Sequence, residues 1–384
     1  MKILIVANGY PNKREPQWGC FERDQALALK ELGHEVSILY VDKRFRTYWR
    51  KIGISRTQND GLRIYGIYYC PEKFLRIFLP FRFYNKHIVQ KMYDRVYRSY
   101  IIHEGKPDVI YAHYLYNIYY ATTLQEKYTI PLVGIEHWSE LTKVYLPPLL
   151  QYWGETAYTK ADKILAVSES LRSQIKRHFD KDSIVVYDML GQEFVSSIVT
   201  KTAKTGKFRF VSVGSLLPIK CFDLLLEAFA AFYESHPESE LIIVGDGTER
   251  KTLQSKINDL QLTGMAKLVG RKNKQDIIDY LNNSHVYVLS SQNETFGVAC
   301  IEGLSMGLPC IVTQCGGPEE FINEKNGILV PTKSVEALSE AMNTIYNNYE
   351  KYDRVTIAEE CRHRFAPQVI AKQLTTIFET VVNK

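Results

Sequence analysis

Short apolar runs alternate with helical periodicity along the first half of the chain. The run "KILIVA" near the N-terminus precedes apolar residues at helical spacing, namely Phe21, Ala26, Leu29 and Leu32. Gly33 then ends the predicted helix, and "EVSILYV" follows as a strand. The runs "PDVIYAH", "IPLVGIEH" and "KILAVS" each lead into polar or helical sequence in the same way. Repeated β-loop-α-β units predict a parallel, doubly wound sheet.

The second half repeats this pattern. The apolar runs "FRFVSVG", "ELIIVGDG", "HVYVLSS" and "LPCIVT" alternate with helical segments such as "CFDLLLEAFAAFYESHP". The segment 198–207, "IVTKTAKTGK", is poor in large apolar residues and is the best linker candidate. We therefore predict one α/β domain at 1–200, a second at 201–366 and a C-terminal helix at 367–384. Since open parallel sheets bind ligands at the carboxyl ends of their strands, we expect the ligand there.

Length and composition agree with two soluble domains. The chain has 384 residues, of which 45% are hydrophobic and 24% are charged. Single cores stop growing near about 250 to 300 residues, so two domains are expected. No apolar run approaches the roughly 20 residues of a membrane span, and "MKILIVANGY" becomes polar too early for a signal peptide. A cytoplasmic location is expected.

The cysteines form no recognisable framework. The chain has seven of them, scattered and without a C-x-x-C pair. Neither disulfides nor a zinc site is indicated, and reduced, packed thiols are expected.

Positive charge is concentrated in one region. The net charge is only +5, yet residues 43–98 contain fourteen lysines and arginines against three acids, interleaved with Phe, Trp and Tyr. Such a surface suits an anionic membrane, so we predict that residues 43–98 place the protein peripherally on the inner face of the cell membrane. A solvated face over an aromatic core is the alternative. Nucleic acid is disfavoured because no nucleic-acid-binding module is legible.

Two strand-to-helix turns are suited to phosphate. In "VSVGSLLPIKCF", Gly214 ends a strand and Lys220 precedes the next helix, so free N–H groups, the helix dipole and an ammonium can meet an anion. In "LIIVGDGTER", Gly245 lets the backbone approach a ligand closely. Ordinary tight turns explain both equally well. The Walker pattern and G-x-G-x-x-G after the first strand are absent, which disfavours P-loop phosphotransfer and nicotinamide binding.

The stretch "NETFGVACIEGLSMG" carries two glutamates, Glu294 and Glu302, eight positions apart. On one helix they would lie about 12 Å apart along the axis and about 80° apart around it, too far to share a proton. If Glu294 instead lies in the loop before the helix, the N–H groups of Phe296, Gly297 and Val298 become free donors for an anion. The structural alternative is that Glu294 caps the helix and Glu302 pairs with a lysine.

Together these motifs resemble the retaining GT-B glycosyltransferases of family 4, over nearly the whole chain. The similar segments are "ETFGVACIEGLSMGLPCIVTQCGGPEEFI", "VGSLLPIKCFDLLLEAF", "ADKILAVSESLRSQI", "IEHW" and "GCFERDQALALKELGHEV". The resemblance implies an α/β fold of two Rossmann-like domains with an interdomain cleft. It also implies that the domain at 1–200 binds the acceptor, that the domain at 201–366 binds the nucleotide-sugar donor, and that the C-terminal helix at 367–384 crosses back to the N-terminal domain.

The resemblance implies roles for particular residues. It assigns catalytic roles to His137, Lys220 and Glu294, with His137 facing the donor sugar, Lys220 neutralising the departing diphosphate and Glu294 holding sugar hydroxyls. Glu302 is expected to bind the nucleotide ribose. The implied donor-binding set is Gly19, Gly214, Ser215, Lys220, Gly245, Arg271, Glu294, Phe296, Gly297, Val298 and Glu302.

The chain departs from the family pattern at two positions. The usual arginine after the phosphate-segment glycine is Ser215 here, and the usual glycine after the lysine is Cys221. A lost guanidinium removes a bidentate phosphate contact. Arg271 or Lys272 is expected to substitute, or the donor is held less tightly.

The predicted activity is retaining transfer of a sugar from a nucleotide diphosphate sugar, a UDP-sugar by preference, to an acceptor hydroxyl. A lipid-linked glycan in bacterial surface polysaccharide assembly is the acceptor that suits the basic stretch. The nucleotide sugar is a substrate, and no cofactor is expected. No Asp-x-Asp motif argues for a metal bridging the donor, so metal independence is expected. A GT-B nucleotide-sugar epimerase or hydrolase, and a sugar-nucleotide-binding scaffold without turnover, remain as alternatives.

Overall fold

The computed structural model describes residues 1–44, 50–69, 84–199 and 206–383, and these form two compact units. Unit 1 contains Met1–Tyr187 and Pro367–Lys384, and unit 2 contains Asp188–Ala366. Most of the proposed linker, residues 200–205, lies outside the described residues. The border after Tyr187 falls earlier than the predicted one after residue 200.

The earlier border has a local cause. A short helix at Gln192–Val195 belongs to unit 2 because the chain around it is bonded there. The Leu190 N–H donates to the Phe365 carbonyl at 2.9 Å, and Lys274 forms an ion pair with Glu193 at 3.2 Å. The sequence before the linker is therefore held by the second unit, although the apolar pattern alone assigned it to the first.

Unit 1 is built on an eight-stranded sheet with the strand order β3-β4-β2-β1-β5-β6-β7-β8. Its strands are β1 (Lys2–Ala7), β2 (Glu35–Asp42), β3 (Gly53–Asn59), β4 (Leu62–Tyr68), β5 (Val109–His113), β6 (Leu132–Glu136), β7 (Lys163–Ala166) and β8 (Ile184–Val185). All neighbours are parallel except β3, which pairs antiparallel with β4. The periodicity did not predict this hairpin, because β3 is an exposed, polar edge strand without a buried face.

The helices of unit 1 are α1 (Cys20–Glu31), α2 (Gln90–Glu104), α3 (Leu115–Tyr128), α4 (Pro148–Lys160), α5 (Glu169–Phe179) and the C-terminal helix, Pro367–Val382. The last of these packs within unit 1. Its Phe378 ring lies 5.0 Å from that of Tyr111, and Thr375 Oγ1 lies 2.9 Å from His34 Nε2. The break at Pro367 thus separates the helix of unit 2 from the helix that returns to unit 1.

Unit 2 is built on a six-stranded parallel sheet with the order β11-β10-β9-β12-β13-β14. Its strands are β9 (Phe208–Val213), β10 (Ser239–Val244), β11 (Ala266–Leu268), β12 (Val286–Leu289), β13 (Cys310–Thr313) and β14 (Gly327–Val330). Its helices are α6 (Gln192–Val195), α7 (Phe222–Ser235), α8 (Arg250–Asp259), α9 (Lys274–Asn282), α10 (Val298–Ser305), α11 (Val335–Asn347) and α12 (Arg354–Phe365); the C-terminal helix is α13. The parallel strands, of which β10, β12 and β13 are buried along their whole length, confirm the predicted doubly wound architecture.

The cysteines and the helices were also compared with the sequence-based expectations, for the described residues alone. Their six cysteines are free thiols, five of them buried, whereas Cys70 lies outside the described residues. None of the described helices is both long and apolar enough to cross a membrane.

Candidate functional site

A charged pair lies at the carboxyl edge of the unit 2 sheet. Lys220 ends a 3₁₀ turn, Pro218–Lys220, between β9 and α7, and its Nζ donates to Glu294 Oε1 at 2.5 Å. Ser291 Oγ donates to the same oxygen at 2.7 Å. The side chains of Lys220 and Glu294 are 24% and 13% exposed, so solvent and a ligand can reach both charges.

Neighbouring strands hold this pair in place. Ser290 Oγ donates to the Lys220 carbonyl at 2.8 Å, and the Gln292 N–H donates to the Ile219 carbonyl at 2.9 Å. Thr313 Oγ1, at the end of β13, donates to the Ser291 carbonyl at 2.6 Å. The loops after β9, β12 and β13 are therefore tied together by hydrogen bonds, which preorganises the cation and the carboxylate. Ser291 was not predicted as a site residue, although it lies three residues before Glu294 in the sequence.

Glu294 lies in a loop and not on the helix. Its N–H donates to the Cys315 carbonyl at 2.8 Å, and its carbonyl accepts from the Gly317 N–H at 3.0 Å. Helix α10 begins at Val298, after Gly297 with φ of 89°. The separation of about 80° around a shared helix therefore does not apply. Glu294 therefore precedes the helix, as in the second of the two predicted arrangements, and the first N–H groups of α10 have no intrahelical acceptor.

Two further residues of the predicted site, Phe296 and Glu302, are placed differently: Phe296 is buried before the helix, and Glu302 lies on the helix. The Phe296 ring is 1% exposed and packs on Phe321 and Phe365, at 5.4 and 5.6 Å between ring centroids. Only the backbone of Phe296 is thus placed to meet a ligand. Glu302 lies half-buried in the second turn of α10.

The glycine turns bring two loops into contact. A Cβ on Gly245, whose φ is +153°, would lie 1.8 Å from the Gly214 carbonyl oxygen. The close approach explains why Gly245 lacks a side chain, whereas a Cβ on Gly214 would lie 3.3 Å from Cζ of the Phe222 ring. The Gly245 N–H donates to the Gly270 carbonyl at 3.0 Å, which places the following residue, exposed Arg271, beside the same edge.

The chain departs from the family pattern at Ser215 and Cys221, and the structure shows the surroundings of both residues. Ser215 is exposed at the start of the β9–α7 loop. Cys221 is buried and has φ of 50° and ψ of 42°, the left-handed region that glycine adopts without steric cost. Lys272 Nζ lies 5.8 Å from the centroid of the Tyr280 ring in α9, the helix that begins two residues further along the chain.

His137 lies in unit 1, directly after β6. Its Nε2 is 3.2 Å from His113 Nδ1, and the two rings stack at 5.2 Å with 5° between their planes. Burial lowers the pKa of His113 well below its usual value, with His137 contributing in the same direction. His137 Nε2 thus faces the buried His113, and His137 Nδ1 is also buried, although the residue as a whole is half-buried.

A buried carboxylate shapes the turn at His137. Glu136 Oε1 accepts from the N–H groups of His137 and Trp138 at 3.0 and 2.9 Å, and its Oε2 accepts from Tyr158 at 2.7 Å. Burial raises the pKa of Glu136. His113 and Glu136 were missed by the sequence reasoning. Each ends a buried strand, a position that could have indicated them, whereas His137 was singled out by the resemblance of "IEHW" to family 4.

Gly19 lies at the other predicted position in unit 1. It has φ of 76° at the start of α1, and a Cβ there would lie 2.3 Å from the Gly9 carbonyl oxygen. The glycine therefore permits close contact between the loop after β1 and the start of the helix.

The chain contains one Asp-x-Asp sequence, at Asp180 and Asp182, and its carboxylates pair with a lysine. The two residues flank Lys181 after α5, and Lys176 Nζ pairs with them at 2.9 and 3.3 Å. Across the described ranges, no group of three or more His, Cys, Asp and Glu side chains could hold a metal ion.

Comparison with known families now gives the class. Residues 197–360 match the model of glycosyl transferases group 1, and residues 23–187 match that of glycosyltransferase family 4. The two matches together account for most of the chain, one in each unit. The protein belongs to the group 1 and family 4 glycosyltransferases, and its two parallel-sheet units have the α/β architecture of GT-B enzymes.

Particular relatives agree with this class. The chain is 26% identical over 367 residues to a putative teichuronic acid biosynthesis glycosyltransferase, TuaC, of Bacillus subtilis, with 89% of this chain and 88% of that protein covered. It is 23% identical over 350 residues to the GPI3 subunit of a Saccharomyces cerevisiae phosphatidylinositol N-acetylglucosaminyltransferase, covering 88% and 73%. The crystal structure of Anabaena Alr3699/HepE in complex with UDP has 16% identity and a TM-score of 0.72, covering 99% of this chain and 100% of that chain.

Proposed function

We propose that this glycosyltransferase moves a sugar from a UDP-sugar to an acceptor hydroxyl, with retention of configuration and without a metal ion. The observation that carries the proposal is the Lys220–Glu294 pair, fixed beside the start of α10 at the carboxyl edge of unit 2. An ammonium, a carboxylate and helix N–H groups suit the diphosphate and the hydroxyls of such a donor. The structure of HepE with UDP has the same fold, which supports the choice of nucleotide.

In the proposed mechanism, Lys220 stabilises the charge on the departing diphosphate, and the N–H groups at the start of α10 assist it. Glu294 accepts hydrogen bonds from hydroxyls of the donor sugar, and Glu302 accepts from those of the ribose. Arg271 takes over part of the phosphate contact that Ser215 cannot make. Glu294 positions the sugar and does not act as a nucleophile. The leaving diphosphate can itself take up the proton that the acceptor hydroxyl loses.

A thermal-shift screen with UDP-, GDP- and ADP-sugars tests this proposal. A donor present at 100 times its Kd stabilises the folded protein by about 2.7 kcal/mol. We expect the largest rise in Tm with a UDP-sugar. Incubation of that donor with a panel of octyl and p-nitrophenyl glycosides is then expected to give a product with the anomeric configuration of the donor by NMR.

Other products would identify the alternatives. An epimerised nucleotide sugar formed without an acceptor would indicate an epimerase, and free sugar in place of a glycoside would indicate a hydrolase. Donor binding without turnover across the acceptor panel would favour a binding scaffold. An inverted product would contradict the retaining mechanism.

We also propose that the acceptor is lipid-linked and that unit 1 contacts an anionic membrane. Of the basic region 43–98, residues 45–49 and 70–83 and the side chain of Lys86 lie outside the described residues. The described part includes Lys91, Arg95 and Arg98, which are exposed on one face of α2. Such a row of cations is typical of a helix that lies on anionic lipid.

Charge reversal tests the membrane contact. The triple variant K91E/R95E/R98E is expected to lower binding to phosphatidylcholine vesicles containing phosphatidylserine by at least about tenfold, because each basic residue near such a surface contributes about 1 kcal/mol. Sedimentation with the vesicles measures the bound fraction. The control R172E/K176E/R177E makes the same change of charge on exposed positions of α5. Equal losses in both triple variants, or none in the first, would contradict the proposal.

A further inference from the structure

One residue alone joins strand β5 to helix α3. The strand ends at His113, the helix begins at Leu115, and Tyr114 makes the whole turn. The Tyr114 N–H donates to the Ile135 carbonyl of the neighbouring β6 at 2.9 Å. A reversal this sharp at the carboxyl end of a parallel strand projects the turn residue outward at the top of the sheet. The same geometry presents the nucleophile of α/β-hydrolases to their substrates.

The backbone at Tyr114 is strained. Its φ is 69° and its ψ is 142°. The other non-glycine helix caps with positive φ, Thr129, Asp180 and Cys221, have ψ between 38° and 62° and lie in the left-handed helical region. Tyr114 lies outside that region, close to one that is essentially restricted to glycine, and a bulky residue there costs free energy.

The ring of Tyr114 is placed among aromatic groups at the ends of β5 and β6. It lies 5.1 Å from the His137 ring, with 41° between the planes. Two residues further on, the Tyr116 ring lies 6.0 Å from that of Trp138. Tyr114, Tyr116 and Trp138 are each half-buried. Aromatic rings with polar tips suit sugars, which present C–H groups on a ring face and hydroxyls on its rim.

We propose that Tyr114 is a substrate-contacting residue whose ring and hydroxyl bind a pyranose sugar. Strain of this kind persists where the surrounding structure enforces it, and it concentrates at ligand-binding positions. A glycine would make the same turn without strain, so a tyrosine at this position lowers the stability of the protein relative to glycine. This inference rests on the proposed glycosyl transfer, and the sugar is either that of the donor or that of the acceptor.

The variants Tyr114→Gly and Tyr114→Ala separate the ring from the strain. Both remove the ring, but only glycine relieves the backbone, so Tyr114→Gly is expected to melt about 3 °C above Tyr114→Ala. Both are expected to lose about tenfold in kcat/KM for transfer from the UDP-sugar to the best glycoside of the panel. Recovery of stability without recovery of activity is the expected signature of a ligand-contacting residue.

Two binding measurements distinguish the source of the sugar. If Tyr114 contacts the donor, calorimetry with the UDP-sugar shows a weaker Kd in Tyr114→Gly, while the Kd for UDP is unchanged. If it contacts the acceptor, the Kd for the UDP-sugar is unchanged and the KM for the glycoside rises. Tyr114→Phe separates the hydroxyl contribution from that of the ring.

Tyr128 provides a matched control, since it is also half-buried and lies at the opposite end of the same helix. Tyr128→Ala is expected to alter Tm and to leave kcat/KM unchanged. Wild-type kcat/KM in Tyr114→Gly, or an equal loss in Tyr128→Ala, would overturn the inference. If the wild-type protein itself neither binds a UDP-sugar nor transfers one, the proposed function fails and this inference fails with it.

Discussion

Replacing Lys220 by alanine is expected to lower kcat for sugar transfer by about 100-fold, which corresponds to about 2.7 kcal/mol of lost transition-state stabilisation. The effect is large because the diphosphate gains charge as the glycosidic bond breaks, and Lys220 is the cation fixed beside Glu294. The missing arginine at Ser215 increases the dependence on this lysine. Steady-state kinetics with the donor found in the screen measures the change, and Lys220→Arg is expected to restore part of it.

Lys256 supplies the matched control for Lys220. It belongs to the same unit, pairs with Glu227 and has a side chain 26% exposed, against 24% for Lys220. Lys256→Ala is expected to retain wild-type kcat. Because both ion pairs are partly exposed, each alanine variant is expected to change the free energy of unfolding by no more than about 1 kcal/mol. A Lys220→Ala enzyme with wild-type kcat would remove Lys220 from the mechanism.

Replacing Glu294 by alanine is expected to weaken binding of the UDP-sugar by about 30-fold and binding of UDP by less than about threefold. A hydrogen bond to a charged group contributes about 1.5 to 3 kcal/mol, and the proposed partners of Glu294 are hydroxyls of the sugar alone. Glu302→Ala is expected to weaken both ligands equally, because ribose is common to them. Isothermal titration calorimetry measures the four dissociation constants.

The contrast between the two ligands guards against a trivial explanation. If Glu294→Ala merely disturbed the loop, UDP and the UDP-sugar would lose affinity together, and the sugar assignment would be wrong. Glu227→Ala removes the partner of Lys256 and is expected to leave both affinities unchanged. In the double variant K220A/E294A the two effects are expected to be non-additive, because the side chains are in direct contact.

Much of the fold follows from the apolar pattern. The runs that form β1, β5, β6, β9 and β10 are buried on both faces, so their sequence signal is nearly continuous and strong. The β3–β4 hairpin was missed because β3 is exposed, and an exposed edge strand imposes no alternation on its residues. The unit border was misplaced because a few hydrogen bonds, and not a change in composition, assign residues 188–199 to unit 2.

The candidate site was predicted less completely. Local sequence located Gly214, Lys220 and Glu294 at strand ends, since parallel strands carry their ligand groups there. It left open whether Glu294 lies on the helix that follows or in the loop before it, because the start of a helix depends on backbone angles such as the φ of 89° at Gly297. It also gave no indication that His137 stacks on the buried His113, with its Nε2 3.2 Å from Nδ1 of that ring.

The sequence by itself determined the α/β class, the order of most strands and helices along the chain, and the resemblance to family 4, because apolar periodicity and short motifs are local properties. Only the tertiary structure decided which side chains meet. The contact of Lys220 with Glu294, whose Oε1 also accepts from Ser291, joins loops that are more than seventy residues apart. The strain at Tyr114 likewise arises because β5 and α3 are each fixed by their neighbours, which leaves one residue to connect them.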